Sequence, residues 1–385
     1  MKAVHFGAGS IGRGFIADLL HDSGYDIVFL DVDDHLINQI NHTGTYNLYL
    51  INEHFSKKTI NQVKAISSLS NEKEAIEEIR TADLITTSVW ADNLPKIAPI
   101  LVKGLKERRK TKAAKINLLA CENALFNSEI LKREILKIAD GFTESDLNEV
   151  AAFPNTAVDR LVLEAVRDGE RVIDIGSEHE LVIERNKLAD PGIEPIKGAV
   201  YTDNLQKYIE RKLYIINCGH AWAGYMGHIY GYTGMQDIFH NEQLVSGVRE
   251  VMLESSGLLA QKYDFSLEDL KAYIEFAIAR FQTPGITDTV NRVARSPIRK
   301  LQQNERLTGP CIQCEEYGLQ NSRLLQGIAA AFLFNNPADE QSAALQYHIK
   351  KYGIAESIPF YTAIPADSRM YAVILEQYGS LKNYH

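Results

Sequence analysis

The segment GAGSIG, residues 7–12, constrains the fold more than any other part of the chain. It has the spacing G-x-G-x-x-G, it follows the short apolar segment AVHF (3–6), and it opens a helical pattern. The next apolar segment, IVFLDVD (27–33), carries Asp31. A strand, a glycine turn, a helix and an acid at the end of the next strand are typical of a dinucleotide-binding βαβ unit. The sequence therefore predicts a Rossmann-type domain at the N-terminus.

Each residue of the glycine turn has a predicted role. Gly7 allows the tight turn, and Gly9 lets the backbone approach a pyrophosphate. Gly12 allows close packing of the helix on the strand. The backbone N–H groups of the first helical turn, which includes Ser10 and Ile11, are expected to face the phosphates.

Asp31 predicts the choice of cofactor. Its carboxylate is expected to accept hydrogen bonds from the adenosine ribose hydroxyls and to repel a 2′-phosphate, which favours NAD over NADP. The alternative is a tight turn that binds no ligand, with a solvated or helix-capping Asp31.

The rest of the chain extends this pattern and then changes. Further strand candidates alternate with helical segments, which indicates a parallel sheet covered on both faces. Two more segments resemble an antiparallel pair joined by the turn GSEH. After about residue 191 the periodicity is helical, as in SLEDLKAYIEFAIARF (266–281), where Ser266 is a candidate N-cap. We predict an α/β fold with a doubly wound domain over 1–195 and a mainly α-helical domain over 196–385. The strand candidates are DLITTSVW (83–90), KINLLAC (115–121), EVAAF (149–153), RVIDI (171–175) and ELVIER (180–185).

Charge and composition disfavour several partners. The formal net charge is −9 and the pI about 5.7, which disfavours nucleic acid. The basic run KGLKERRKTKAAK (103–115) is interpreted as a solvated helix end and loop. No apolar run approaches the roughly 18 residues of a membrane-spanning helix, and no signal peptide is recognisable. We expect a cytoplasmic protein, either a monomer or a homodimer, with a small-molecule substrate.

A lysine, an amide and an imidazole stand among apolar residues in KLYIINCGHAWAG (212–224). In an α-helix Lys212 lies about 140° from Asn217 and about 80° from His220, so all three project from one broad face. Alcohol oxidation needs a group that takes the hydroxyl proton. A lysine can do so where desolvation and a nearby positive charge favour the neutral amine.

Asn217 is then a candidate donor to the reacting oxygen, and His220 a candidate contact to a substrate oxygen. Structural roles are equally open: a lysine that reaches solvent, an amide bonded to a carbonyl, and a core histidine. A zinc site is disfavoured, because Cys311 and Cys314 form a single C-x-x-C without two further ligands at regular spacing.

Several segments resemble the polyol-specific long-chain dehydrogenases. The spacing K-x4-N-x2-H, preceded by FPNTAVDR (153–160), is similar to motifs of that family. The resemblance implies a metal-free NAD enzyme with Lys212 as general base, assisted by Asn217 and His220. It also implies that Asn155 is a second donor to the reacting oxygen. For Asn155 the alternative is an N-cap of a predicted helix, TAVDRLVLEAV (156–166). Other similar segments are GAGSIGRGFI (7–16), DLITTSVWADNLP (83–95), TDNLQKYIERKLYIINCGHA (202–221) and RVARSPIRKL (292–301).

The resemblance is greatest to members that act on mannitol 1-phosphate. The implied reaction is the reversible oxidation of D-mannitol 1-phosphate at C5 to D-fructose 6-phosphate, in a cleft between the two domains. The substrate phosphate is expected near a basic cluster in NRVARSPIRK (291–300). The alternative is that these arginines pair with acids such as Asp288 or Glu305. In related sequences we expect Asp in place of Ser296. The cluster consists of Arg292, Arg295, Arg299 and Lys300.

Two other functions stay open. One is a different NAD-dependent polyol or sugar-acid dehydrogenase, such as a mannitol 2-dehydrogenase, a uronate reductase or a 6-phosphogluconate-like enzyme. The other is a non-catalytic dinucleotide sensor.

Overall fold

The structure is a computed structural model that describes residues 1–139, 141–167, 169–283 and 287–384. The chain divides into two units, Met1–Leu205 and Gln206–His385. The first contains the parallel sheet and the second is helical, so the predicted fold class is confirmed. None of the helices in the described ranges is long and apolar enough to cross a bilayer.

The parallel sheet of the first unit has the strand order β5-β2-β1-β6-β7-β8. Residues of β1 and β2 point alternately into two separate hydrophobic cores, so both faces of the sheet are covered. The order changes direction between β1 and β6, and ligands bind beyond the carboxyl ends of the strands at such a point. The strands, in chain order, are β1 (Lys2–Phe6), β2 (Asp26–Asp31), β3 (Tyr46–Leu50), β4 (Ser56–Ile60), β5 (Val63–Ser67), β6 (Leu84–Thr87), β7 (Ile116–Ala120), β8 (Ala151–Ala152), β9 (Thr156–Arg167), β10 (Glu170–Glu184) and β11 (Val200–Thr202).

Two helices of this unit, α2 and α6, begin at residues whose side chains cap them. Asp33 accepts hydrogen bonds from the backbone N–H groups of His35 and Leu36 at the start of α2. A capping box of Thr143 and Asp146 starts α6. A π-helical segment, Gly12–Ile16, leads into α1. The α-helices are α1 (Ala17–Asp22), α2 (Asp34–Thr43), α3 (Glu72–Thr81), α4 (Leu94–Lys110), α5 (Asn127–Ile138) and α6 (Glu144–Val150).

The basic run at the end of α4 is only partly solvated. Arg108 is buried, and its guanidinium donates to the carbonyl oxygens of Arg80, Ala82 and Ala114 at 2.7–2.8 Å. The expectation of a wholly solvated segment is therefore wrong for this residue.

A second sheet, with the order β11-β10-β3-β4 and with β9 paired to β10, corrects two predictions. Residues 156–166 were predicted as a helix but lie in β9, which pairs antiparallel with β10. Residues 171–185 do not form a hairpin of their own. They lie mostly in the single strand β10, and the expected turn at 176–179 is instead an irregularity between Ile175 and His179.

The second unit is a set of helices packed around one core. The glycines of α8 lie where this helix packs closely on its neighbours. A Cβ at Gly219 would lie 2.2 Å from Met252, and a Cβ at Gly227 would lie 2.1 Å from Ile238. The predicted cap Ser266 accepts from the backbone N–H of Asp269. A π-helical segment, Lys212–Asn217, separates α7 from α8. The α-helices are α7 (Leu205–Arg211), α8 (Cys218–Ile229), α9 (Met235–Phe239), α10 (Glu242–Lys262), α11 (Leu267–Phe281), α12 (Val290–Ala294), α13 (Pro297–Lys300), α14 (Thr308–Glu316), α15 (Ser322–Leu333), α16 (Glu340–Tyr352), α17 (Ile354–Thr362) and α18 (Arg369–Lys382).

Candidate functional site

The glycine turn lies at the carboxyl end of β1. Gly7 has a φ of 96°, and a Cβ there would lie 2.7 Å from the carbonyl oxygen of Ser88. A Cβ at Gly12 would lie 2.0 Å from the carbonyl oxygen of Gly7. A Cβ at Gly9, by contrast, would meet nothing within 4 Å. The protein's own packing thus requires the first and third glycines, while the second leaves open space where a pyrophosphate could approach the backbone.

Asp31 lies against this turn at the end of β2. Its carboxylate accepts hydrogen bonds from the backbone N–H groups of Ala8 at 2.5 Å, Val32 at 2.7 Å and Asp33 at 3.0 Å. Beside it, the Ser10 hydroxyl donates to Glu164 of β9, and Ile11 is exposed. An open backbone, a helix start and a carboxylate therefore meet at one edge, and they fit the pyrophosphate and ribose of a dinucleotide.

A buried histidine lies beneath the turn. His5 of β1 is within 2.7 Å of the Thr86 hydroxyl through Nδ1 and within 2.8 Å of the Ser88 hydroxyl through Nε2. A Cβ at Gly12 would lie 2.8 Å from His5 Nε2, so this side chain is part of the floor of the turn. Burial lowers the pKa of His5 to about 3. No local sequence pattern predicts the contacts of His5, because its partners are more than 80 residues away in the chain.

A buried acid, Glu122, follows β7. The carboxylate of Glu122 accepts the Thr87 hydroxyl at 2.8 and 2.9 Å and the Val89 backbone N–H at 3.0 Å. The loop after β7 is fixed to the loop after β6 by these bonds. The segment ACENA (120–124) shows no spacing that predicts this contact.

Asn155 caps a helix, but not the helix that was predicted. The residues after it form β9, so the predicted N-cap role is wrong. Its Oδ1 instead accepts from the backbone N–H of Glu129, in the first turn of α5. Its Nδ2 donates to Glu129 Oε1 at 2.9 Å and to Glu184 Oε2 at 3.0 Å. Both amide hydrogens are thus engaged by carboxylates.

Lys212 and Asn217 are the first and last residues of the π-helical segment of the second unit. A π-helix bonds residue i to residue i+5 and has more residues in each turn than an α-helix. The angle between these two residues around the axis is therefore smaller than the separation of about 140° that was predicted for an α-helix. Lys212, Asn217 and His220 are all half-buried, whereas the intervening residues 214–216 are buried. The three side chains therefore lie on the partly exposed face of this helical run, and residues 214–216 lie on the face that is packed into the core.

His220 is held by a ring and an acid. It stacks on Phe281 with ring centroids 4.6 Å apart, and its Nε2 lies 3.9 Å from Asp288 Oδ2. Desolvation lowers the pKa of His220 to about 4, although the Asp288 carboxylate opposes the shift. His220 is consequently neutral near pH 7 and can hydrogen-bond a substrate oxygen without adding charge.

The basic cluster is partly neutralised. Arg292 forms an ion pair with Asp288, and Arg299 lies 3.3 Å from Glu305, so the alternative pairing proposed from the sequence is confirmed for both. Lys300 is buried and donates to the Val293 carbonyl, and burial lowers its pKa to about 7. The Arg295 side chain is exposed. Asp288 links this cluster to His220, since it contacts both His220 and Arg292.

The four cysteines are buried, and burial raises the pKa of each thiol. Over the ranges that the structure describes, no group of three or more His, Cys, Asp or Glu side chains could hold a metal ion.

A Rossmann-type unit with this glycine turn, followed by a helical unit that presents a lysine, an amide and an imidazole, defines a nucleotide-dependent oxidoreductase. Comparison with protein families specifies it further. The model for the mannitol dehydrogenase Rossmann domain matches residues 1–195, and that for the mannitol dehydrogenase C-terminal domain matches residues 204–366. The chain belongs to the mannitol dehydrogenase family, which confirms the resemblance predicted from its motifs.

Curated relatives match almost the whole chain. Proteins named mannitol-1-phosphate 5-dehydrogenase from Caldanaerobacter subterraneus subsp. tengcongensis and Geobacillus stearothermophilus are each 37% identical, over 99% of this chain and 99% and 100% of their own lengths. One from Thermoanaerobacter pseudethanolicus is 38% identical, over 99% of this chain and 98% of its own.

Solved structures share the fold. A D-sorbitol dehydrogenase in substrate-free form superimposes with a TM-score of 0.82 at 16% identity, over 99% of this chain and 92% of that chain. Pseudomonas fluorescens mannitol 2-dehydrogenase, in ternary complex with NAD and D-mannitol, gives 0.72 at 16% identity, over 100% and 92%.

Proposed function

We propose that this protein is an NAD-dependent mannitol-1-phosphate 5-dehydrogenase, which interconverts D-mannitol 1-phosphate and D-fructose 6-phosphate. The observation that carries the proposal is the similarity, over nearly the full length, to relatives of that name. The open backbone at Gly9 and the carboxylate of Asp31 support NAD as the cofactor, and these residues would hold its pyrophosphate and ribose.

Lys212 is the general acid and base of the proposed reaction. A bound nicotinamide supplies the acceptor or donor of hydride at C5. In oxidation the Lys212 amine takes the proton of the C5 hydroxyl, and in reduction the ammonium returns it. Asn217, one π-turn along the axis, donates an amide N–H to the same oxygen as charge develops on it. His220, which is neutral, orients a neighbouring substrate hydroxyl.

Two predicted roles are refined by the contacts. For Asn155, donation to the reacting oxygen requires one amide hydrogen to leave Glu129 or Glu184. For the substrate phosphate, Arg295 is the proposed direct contact, because it is exposed and, unlike Arg292 and Arg299, forms no ion pair with a residue that the structure describes. Arg292 and Arg299 contribute through their remaining guanidinium donors, and buried Lys300, whose pKa is lowered to about 7, contributes charge only where it is protonated.

The decisive experiment compares NADH-dependent reduction of fructose 6-phosphate and fructose. We expect kcat/KM to be at least about 100-fold higher for the phosphate ester, because charge-assisted bonds to phosphate contribute to that substrate alone. Arg295→Ala should raise KM for fructose 6-phosphate and leave the rate with fructose unchanged. Arg249→Ala, which removes an exposed arginine paired with Glu275, is the matched control. A preference for fructose would instead indicate a polyol 2-dehydrogenase.

The role of Lys212 is tested by Lys212→Ala. We expect kcat to fall by about 10²–10⁴-fold, the range for loss of a general base, while the Kd for NADH stays near that of the wild type. Lys207→Ala, in the same helical run but paired with the exposed Asp264, should keep full activity. Addition of EDTA should leave the wild-type rate unchanged. Near-normal turnover by Lys212→Ala would refute the assignment.

A further inference from the structure

Glu122 is a buried acid that the proposed reaction does not use. It is 4% exposed, and its carboxylate is bonded by the Thr87 hydroxyl and the Val89 backbone N–H. Both donors are neutral, and in the part of the chain that the structure describes no lysine, arginine or histidine forms an ion pair with it. A buried carboxylate without a counter-charge is costly. Burial accordingly raises the pKa of Glu122. A positively charged ligand close to Glu122 would offset this cost.

The strand order places this acid at the end where a dinucleotide binds. The glycine turn and Asp31 belong to the half of the sheet formed by β1, β2 and β5. In a doubly wound sheet the two mononucleotide halves of the ligand lie on either side of the switch point, here between β1 and β6. The half that is not adenosine therefore faces the carboxyl ends of β6 and β7, where Glu122 lies.

Glu122 is also connected to the turn itself. It holds the Val89 N–H, and the adjacent Ser88 carbonyl is the group that a Cβ at Gly7 would meet at 2.7 Å. On its other side, the Glu122 carbonyl accepts from the buried Asn127 side chain at 3.0 Å. The carboxylate is thus fixed relative to the turn, so its charge acts from a constant position.

We propose that Glu122 is a positioning residue for the nicotinamide half of the cofactor, and that its negative charge selects the oxidised form over the reduced form. The oxidised ring carries a positive charge and the reduced ring is neutral, so a fixed anion stabilises only the former. This inference rests on the proposed function, because it requires a nicotinamide cofactor.

The test is equilibrium binding to Glu122→Gln, a near-isosteric variant that keeps an acceptor for Thr87 and Val89. The Kd for NADH is measured from its fluorescence, and the Kd for NAD+ by competition with NADH. We expect the Kd for NAD+ to rise roughly tenfold while the Kd for NADH changes by less than about twofold. An equal change in both constants would show that Glu122 only braces the loop, and no change in either would also overturn the proposal.

Two variants separate charge from shape. Glu122→Asp keeps the charge and should retain the preference for NAD+, whereas Glu178→Gln removes a charge from an exposed position and should leave both constants unchanged. If Glu122→Gln does not fold, as judged by circular dichroism, Thr87→Val replaces it. That variant removes a donor but keeps the anion, so the preference for NAD+ should persist, and its loss would refute the role of charge.

The outcomes distinguish this inference from the function on which it rests. If the protein binds both nucleotides but does not turn over fructose 6-phosphate, the proposed substrate is wrong. The ratio of the Kd values for NAD+ and NADH in Glu122→Gln then still tests the role of Glu122. A protein that turns over fructose 6-phosphate with an unchanged ratio in Glu122→Gln disproves the role of Glu122 alone.

Discussion

At the scale of single residues, Gly12 is required for packing within the protein, whereas Gly9 is required for binding of the ligand. A methyl group at Gly12 would overlap the backbone of Gly7, which cannot move aside as a flexible side chain could, whereas one at Gly9 meets nothing. We expect Gly12→Ala to lower the free energy of unfolding of the first unit by more than about 2 kcal/mol. Gly9→Ala should leave stability unchanged but weaken NADH binding at least about tenfold.

Chemical denaturation and NADH fluorescence titration measure the two effects. Gly257→Ala is the control, because a Cβ there also meets nothing and the position lies in α10 of the other unit. Normal NADH affinity in Gly9→Ala would show that the open space at this position does not hold the pyrophosphate.

The same residues show what local sequence could predict. The glycines are two and three residues apart, and Asp31 stands at the end of the next strand, so a single sequence motif records all four residues. Glu122 and His5 act through partners 35 and 81 residues away, and no local pattern records such contacts. The alternative for Asn155 was an N-cap of the segment that follows it, but the helix start that it contacts lies 26 residues earlier.

At the scale of elements, the π-helical segment is anchored on its buried side. Glu210, two residues before Lys212, accepts from Lys262 Nζ of α10 at 2.8 and 3.0 Å. Lys262 also donates to Gln313 of α14, whose amide donates to the hydroxyl of Tyr214. The acid and the tyrosine flank Lys212 in the chain, so this network fixes the rotation of the helix that presents it.

Removing the ammonium of this network should be costly. Lys262→Met leaves the buried Glu210 carboxylate without its counter-charge, and we expect the free energy of unfolding to fall by about 2–3 kcal/mol. Lys207→Met breaks a pair with an exposed partner, Asp264, and should change stability little. Urea denaturation of both variants provides the comparison, and equal stabilities would show that the network contributes nothing.

The elements that sequence patterns missed are those fixed by distant pairing. The segment 156–166 carries apolar residues at helical spacing, yet it forms β9 because β10 offers a long antiparallel partner. Strands β3 and β4 were not predicted at all. They pair with each other, and β3 pairs with β10, more than a hundred residues further along the chain. The buried strands β1, β2, β6 and β7 and the helix that Ser266 caps, whose signals are local, were predicted correctly.

At the scale of the whole molecule, each unit holds a histidine whose neutral form is favoured by desolvation. His5 lies beneath the glycine turn of the first unit, and His220 lies on Phe281 in the second. Burial lowers the pKa of His5 to about 3 and that of His220 to about 4, from an ordinary value of 6.5. Below pH 6.5 the unfolded chain therefore binds protons that the folded chain does not, and acid destabilises both units through the same mechanism.

The acid sensitivity of the first unit should follow His5. Its contribution is fully present above pH 6.5 and is lost progressively as the pH falls towards 3, so about 2 kcal/mol disappears by pH 5. His5→Gln should be less stable than the wild type at pH 7.5 but should lose less stability between pH 7.5 and pH 5. Urea denaturation at the two pH values measures this difference, with the exposed His35→Gln as control. The three proteins have the same carboxylates, so these groups contribute equally to each loss of stability. Equal losses of unfolding free energy in the wild type and in His5→Gln would therefore contradict the prediction, because they would mean that His5 can be protonated in the folded protein.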